Sequence, residues 1–134
     1  MARRKRNAVL QSLELFRAVH PNISLTHVIA FFYVAENEGL SITELGDALS
    51  TTIATASRTA RALYEKGRPS ALPPGLGLVE SQPHPEIANA RPLHLTALGA
   101  DLRDRIDGVI RMASPIMSND GGSPDTEGVR IAGS

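Results

Sequence analysis

The sequence contains no cysteine and no tryptophan among its 134 residues. Without cysteine, disulfides, thiolate metal ligands and thiol redox switches are excluded. Aromatic residues make up only 4% of the chain, which disfavours binding of single-stranded nucleic acid by base stacking. No stretch approaches the roughly 18 apolar residues of a membrane span, and polar residues after the basic start argue against a signal peptide. These absences predict a cytoplasmic protein with no membrane association.

A net charge is also lacking, since 14 basic residues balance 14 acidic ones. The charges are nevertheless segregated along the chain. Residues 3–6 are all basic, and residues 51–91 carry five basic and three acidic side chains. Residues 36–47 carry four acidic side chains and no basic one, and residues 118–134 are net negative. Because a phosphate responds to charges within about 8–10 Å, the neutral total does not exclude a nucleic-acid partner.

Apolar periodicity predicts an α+β, mainly α protein. Helices are expected over residues 8–20, 25–38, 42–49 and 52–66 and again after residue 96, with strands over residues 77–82 and 91–96. Asn7, Ser41 and Thr96 are predicted helix caps, with Glu44 completing a capping box at Ser41, and residues 50–52 contain the cap candidates for the fourth helix. Gly39 is a predicted stop. Residues 1–117 form the expected domain, and residues 118–134, rich in Gly, Ser, Pro and Asp, an expected disordered tail.

Two of these helices are joined by a short turn over residues 50–52, which is the helix-turn-helix design. The fourth helix is expected to bury Ile53, Ala56, Ala60 and Leu63. Its other face carries small polar and basic side chains of the kind that contact bases and phosphates in the major groove. The predicted DNA-binding residues are Thr51, Thr52, Thr55, Ser57, Arg58 and Arg61, together with Arg91 on the hairpin.

These motifs resemble the MarR (multiple antibiotic resistance regulator) family of winged helix-turn-helix transcription regulators. Residues 52–58 match a recognition-helix pattern S/T-x-x-T-x-S-R, residues 77–79 read G-L-V, and residues 95–99 match L-T-x-x-G. The resemblance implies a homodimer that binds a roughly palindromic double-stranded site and represses or modulates transcription, with a small-molecule effector among its partners. Tyr33, His27 and Phe16 are candidates to line an effector pocket.

The sequence departs from that pattern in four places. Residues 68–76, called here the inserted segment, separate the recognition helix from the hairpin. Asn89 stands where the family has Asp before Arg91, the return strand is short, and one helix follows Thr96 where the family often has two.

Several residues admit a second interpretation. Arg91 is as well suited to pairing with Glu80 or Glu86 as to contacting the minor groove. The basic residues 3–6 fit a solubilising start better than a groove-binding arm, and Glu36, Glu38 and Asp47 are read as a solvated face. The four histidines are scattered and predict no metal site.

Two other classes of function fit the sequence less well. A winged helix that binds protein instead of DNA is the alternative, although such modules usually lose the recognition-helix arginines that this sequence keeps. An enzyme is not expected, because the sequence shows no catalytic set, cofactor loop or metal spacing.

Homodimerisation is predicted through the first and last helices. The first has a wide apolar face over residues 9–19. The last has a near-heptad series that comprises Leu98, Leu102, Ile106, Val109 and Ala113. Ile106 and Val109 are therefore expected at the dimer surface.

Overall fold

The computed structural model describes residues 7–113 together with residues 116 and 117. In this part of the chain the elements are α1 (Ala8–Val19), α2 (Leu25–Glu36), α3 (Ile42–Leu49), α4 (Ile53–Ala62), β1 (Val79–Ser81), β2 (Leu93–Leu95) and α5 (Ala97–Arg111). This order confirms the predicted mainly helical winged helix-turn-helix. The basic residues 3–6 and the tail at residues 118–134 lie outside the described residues.

Side-chain caps begin the helices, because the first amides of a helix have no partner within it. Asn7, Thr52 and Thr96 each accept a hydrogen bond from the amide three residues later. Ser41 and Glu44 form the predicted reciprocal capping box, with contacts of 3.0 and 2.9 Å. Helix α2 has a second capping box that the sequence analysis missed, in which His27 takes the place of the usual Glu or Gln.

The core is built around the three phenylalanines of the chain. Phe16 of α1 meets Phe31 and Phe32 of α2 edge to face, with ring centroids 5.3 and 5.6 Å apart. Phe31 and Phe32 also meet edge to face, at 5.7 Å. Buried leucines from the remaining elements continue the core, among them Leu45, Leu63, Leu78 and Leu93. The helix-turn-helix, the hairpin and α1 therefore share one hydrophobic core.

The hairpin, called here the wing (residues 79–95), pairs β1 and β2 antiparallel with Glu80 opposite His94. A third backbone segment joins it, because the amide of Gly39 donates to Leu93 and the amide of Leu93 donates to Leu40, both at 2.8 Å. Helix α2 ends at Glu36, before the predicted stop. Gly39, with φ of +97°, instead turns the chain towards the wing.

Helix α4 is shorter than predicted, ending at Ala62 instead of Lys66. The carbonyl groups of its last residues accept hydrogen bonds from the inserted segment and the start of the wing. Leu72 donates to Arg61, Leu76 to Ala62, and both Leu78 and Val79 to Leu63, at 2.9–3.1 Å. These amides satisfy carbonyls that a longer helix would have used internally, so the chain leaves the helix early.

Two predictions about burial were wrong. Ile53, expected to face inward, is 58% exposed, because it is the first residue of α4 and lies before the contact with α2 and α3. Ile106 is only 2% exposed and, with Leu102, belongs to the core of the protomer, where α5 packs against α1. Ile106 is therefore not at a dimer surface.

Glu38, expected on a solvated face, joins three elements. One carboxylate oxygen accepts a hydrogen bond of 2.9 Å from the Leu95 amide of β2 and lies 3.6 Å from Nδ1 of His94. The other lies 3.5 Å from the guanidinium of Arg103 on α5. Glu38, two residues after the end of α2, thus fixes the wing and α5 relative to each other.

The first turn of α5 lies directly against the wing. The Thr96 amide donates to the Leu78 carbonyl at 3.1 Å, and the Thr96 hydroxyl donates to Gly77 at 2.6 Å. A Cβ atom at Gly99 would overlap the Leu78 carbonyl oxygen. The glycine of the L-T-x-x-G motif is therefore required by a close backbone approach.

Gly99→Ala should destabilise the protein by about 1–3 kcal/mol, because either α5 or the Leu78 peptide has to shift. Gly108→Ala is the matched control, since it lies in the same helix and its new Cβ would meet nothing within 4 Å. The control should stabilise the protein by about 0.5–1 kcal/mol. Urea denaturation measures both. A stabilising effect of Gly99→Ala would show that the contact with Leu78 imposes no constraint.

The capping box of α2 predicts a loss of stability in acid. Partial burial lowers the pKa of His27 below its usual value, and Nδ1 of His27 accepts the Ser24 amide at 3.3 Å. The folded state thus favours the neutral ring. The stabilisation of the folded state by the neutral His27 ring is fully present above about pH 6.5, the usual histidine pKa. It is lost as the pH falls below that value.

His27→Gln is the control, because glutamine can still complete the box but does not titrate in this range. Urea midpoints measured between about pH 5 and 8 should fall more steeply towards acid in the wild type than in the variant. Parallel profiles would contradict the assignment to His27.

Candidate nucleic-acid interface

The turn between α3 and α4 fixes the start of α4, the predicted recognition helix. Ser50 adopts the left-handed conformation with φ of +56°, and the Thr51 amide donates to Gly46 at 2.9 Å. Thr52 then caps α4. The chain reverses within three residues, as the sequence predicted, so the first turn of α4 is presented at the end of α3.

A line of hydrogen bonds runs along the outer face of α4. The Thr52 hydroxyl donates to that of Thr55 at 3.1 Å, and the Arg58 guanidinium donates to the same Thr55 hydroxyl at 3.3 Å. Thr52 and Arg58 are exposed, and Thr55 is half-buried. The helix therefore holds a guanidinium and two hydroxyls in one row, the donor types that contact base edges and phosphates.

The other predicted residues of α4 and its turn lie on either side of this row. Ser57 and Arg61 face the wing, and Thr51 faces α2. Arg61 is half-buried, and its Nε donates to the Ser70 carbonyl at 2.8 Å. Part of its guanidinium is thus used to hold the inserted segment.

Arg91 lies exposed on the wing and pairs with neither Glu80 nor Glu86, which corrects that interpretation. Its Nε donates to the Ser81 hydroxyl at 2.9 Å, and a terminal nitrogen lies 3.4 Å from the Ser81 carbonyl oxygen. Glu80 instead lies 3.8 Å from Arg68 of the inserted segment. The positive charge of Arg91 is therefore held in place across the hairpin by a neutral partner.

The wing loop between the strands is shaped by a histidine. Nδ1 of His84 accepts hydrogen bonds from the amides of Glu86 and Ile87 at 3.0 and 2.9 Å, and the His84 amide donates to Ala90 at 2.8 Å. His84 had no role in the sequence analysis, because such a turn depends on local backbone geometry.

A cavity of about 530 Å³, called here the helix–wing cleft, separates α4 from the wing. Its walls carry three arginines, Arg61, Arg68 and Arg91, and the hydroxyls of Ser57 and Ser81. Arg68 and Ser81 were missed as site residues. The only feature of the sequence that pointed to Arg68 is that it is a basic residue in the inserted segment. No feature of the sequence pointed to Ser81.

A second cavity, of about 490 Å³, lies on the opposite side of α4 and is called here the α2-side cavity. Tyr33 and Ile29 of α2 line it together with Thr55 and Thr59 of α4. Of the three residues proposed for an effector pocket, only Tyr33 lines it. Phe16 is buried in the core, and His27 completes the capping box.

No membrane-spanning candidate occurs among the helices within residues 7–113, none being long and apolar enough to cross a bilayer.

No family model matches the sequence, and no curated protein matches it. Solved structures are similar in fold. RV1404 from Mycobacterium tuberculosis aligns with a TM-score of 0.58 and 18% identity over 78% of this chain and 64% of that one. Wild-type MarR in its apo form from E. coli aligns with a TM-score of 0.51 and 15% identity over 85% of this chain and 82% of that one.

The chain thus spans slightly less than two thirds of the length of RV1404 and most of the length of MarR. At these identities the similarity establishes the fold. The chain has a MarR-like winged helix-turn-helix, as the motifs at residues 52–58 and 95–99 predicted.

Proposed function

We propose that this chain is a cytoplasmic transcription regulator that binds specific sites in double-stranded DNA as a homodimer. Helix α4 enters the major groove, and the wing lies over the adjacent backbone or minor groove. The observation that carries the proposal is the hydrogen-bonded row of Thr52, Thr55 and Arg58 on the outer face of α4. Occupancy of a promoter site by the dimer would block transcription, so we propose a repressor.

The charge of the interface supports duplex DNA as the partner. Arg58 and Arg91 are exposed on two different elements, and their charges are paired with hydroxyls instead of carboxylates. Each can exchange a hydrogen bond to a neutral hydroxyl for one to a base edge or for a stronger one to an ionised phosphate.

A small-molecule effector forms part of the same proposal. Thr55 lines the α2-side cavity. A ligand in this cavity would contact a residue that also belongs to the proposed DNA-reading row.

Dimerisation is supported by apolar side chains that the protomer leaves exposed on its first and last helices. Val9 and Leu13 of α1 are 60% and 44% exposed, and Ile110 of α5 is 54% exposed. Since these two helices pack against each other, their exposed apolar side chains can form one self-complementary surface that binds a second copy of the chain.

The first test separates base reading from backbone contact. Arg58→Ala should cost about 1–3 kcal/mol on a selected site and much less on scrambled duplex, because Arg58 reads bases. Arg91→Ala should weaken binding to both duplexes by similar factors, because Arg91 contacts the DNA backbone. It should also reduce the slope of log affinity against log salt concentration (the salt slope) by about one unit.

Fluorescence titrations on both duplexes across a salt series measure these effects. Arg105→Ala removes an exposed arginine of α5 and serves as the control, with little expected change. An unchanged ratio of selected to scrambled affinity in Arg58→Ala would refute the assignment of sequence reading to this row.

The second test concerns the dimer. Leu13→Glu combined with Ile110→Glu should yield monomers and weaken binding to a palindromic site, because two linked half-site contacts become independent. Leu25→Glu, on the 70% exposed first residue of α2, should leave the dimer intact. Light scattering gives the mass of each variant, and a wild-type monomer at tens of micromolar would rule the proposal out.

A further inference from the structure

The helix–wing cleft contains more arginines than the row on α4. Arg61, Arg68 and Arg91 come from three different segments, namely α4, the inserted segment and the wing, and line one open cavity. Their side chains meet there with the hydroxyls of Ser57 and Ser81. This set consists of hydrogen-bond donors that suit an anion with several oxygen acceptors.

Two carboxylates, Glu65 and Glu80, also line the cleft, which leaves it with one excess positive charge. Both of them lie beside Arg68, at 3.8 Å from its guanidinium. The Arg68 side chain is 59% exposed. Long, exposed ion pairs of this kind contribute only about 0–1 kcal/mol, so little opposes the movement of Arg68 to a stronger anionic partner.

The other two arginines are held more firmly. Nε of Arg61 donates to the Ser70 carbonyl at 2.8 Å, and the Leu72 amide donates back to the Arg61 carbonyl at 3.0 Å. These two bonds fasten the inserted segment to α4 at Ser70 and at Leu72. The backbone that carries Arg68 is thereby fixed at the cleft, while its guanidinium is the least constrained of the three.

We propose that the cleft binds one phosphate of the DNA backbone and that Arg68 supplies the main contact, exchanging Glu80 for the phosphate. The inference rests on the proposed DNA-binding function and adds a contact made by the inserted segment. DNA is the favoured source of the phosphate because the cleft opens between α4 and the wing, the two elements expected to straddle a strand of the duplex.

The exchange makes a specific prediction for paired variants. Arg68→Gln should weaken binding to a short mixed-sequence duplex by about fivefold near physiological salt and flatten the salt slope by about one unit. Glu80→Gln should strengthen binding, because it removes one of the two carboxylates that lie beside Arg68. When Glu80→Gln is combined with Arg68→Gln, this gain in affinity should disappear, because no guanidinium remains at position 68 to bind the phosphate.

Glu86→Gln is the matched control for the general effect of removing a negative charge from the wing. Glu86 is exposed and does not line the cleft. Any gain in affinity from Glu86→Gln should therefore be the same whether position 68 is Arg or Gln. Thermal denaturation of every variant shows whether its fold is intact, and Arg68→Lys, which keeps the charge, should retain most of the salt slope.

The outcomes distinguish this inference from the proposed function. Failure of the wild type to bind any duplex would refute the function itself. Binding by the wild type with a salt slope that Arg68→Gln leaves unchanged would overturn only the role of the cleft. A gain from Glu80→Gln that persists in the double variant would show a general charge effect, and would overturn the exchange.

Discussion

The carbonyl groups at the end of a helix have no hydrogen-bond partners inside the helix. Much of this structure depends on the amides that donate to the carbonyl groups at the end of α4. The amides of Leu72, Leu76, Leu78 and Val79 supply the partners, so the inserted segment wraps the end of the recognition helix and leads straight into β1. The Leu78 peptide then receives the Thr96 amide and the close approach of Gly99. One continuous set of backbone contacts therefore joins α4, the wing and α5, and Glu38, two residues after α2, ties the wing and α5 together.

This arrangement gives the arginines of the interface different tasks. Arg58 lies on the exposed row of α4 and interacts with a hydroxyl, whereas Arg61 uses its Nε to hold the inserted segment. Arg91 is oriented across the hairpin by Ser81, and Arg68 lies between two carboxylates. A chain with no net charge can thus present a locally positive interface, because the carboxylates nearest to it neutralise one arginine and leave the others available.

The sequence predicted the parts of the fold that depend on neighbouring residues. The caps at Asn7, Ser41, Thr52 and Thr96 lie where their side chains reach the next amides, and the row of Thr52, Thr55 and Arg58 follows from helical spacing. The errors involve residues whose partners are distant in the chain. The end of α4 depends on amides about ten or more residues away, and Glu38 bonds to an amide 57 residues away. Ile106 is buried because α5 packs against α1. Helical periodicity identifies an apolar face but not which neighbour covers it.

The two cavities beside α4 have a consequence for spectroscopy. The chain has two tyrosines and no tryptophan, and each tyrosine lines one of the cavities, Tyr64 in the helix–wing cleft and Tyr33 in the α2-side cavity. The tyrosine fluorescence of the protein therefore originates from the two sides of α4. The unlabelled protein carries optical reporters at the helix that would meet DNA, and a fluorescence change on adding DNA or a small molecule can be assigned to these two positions.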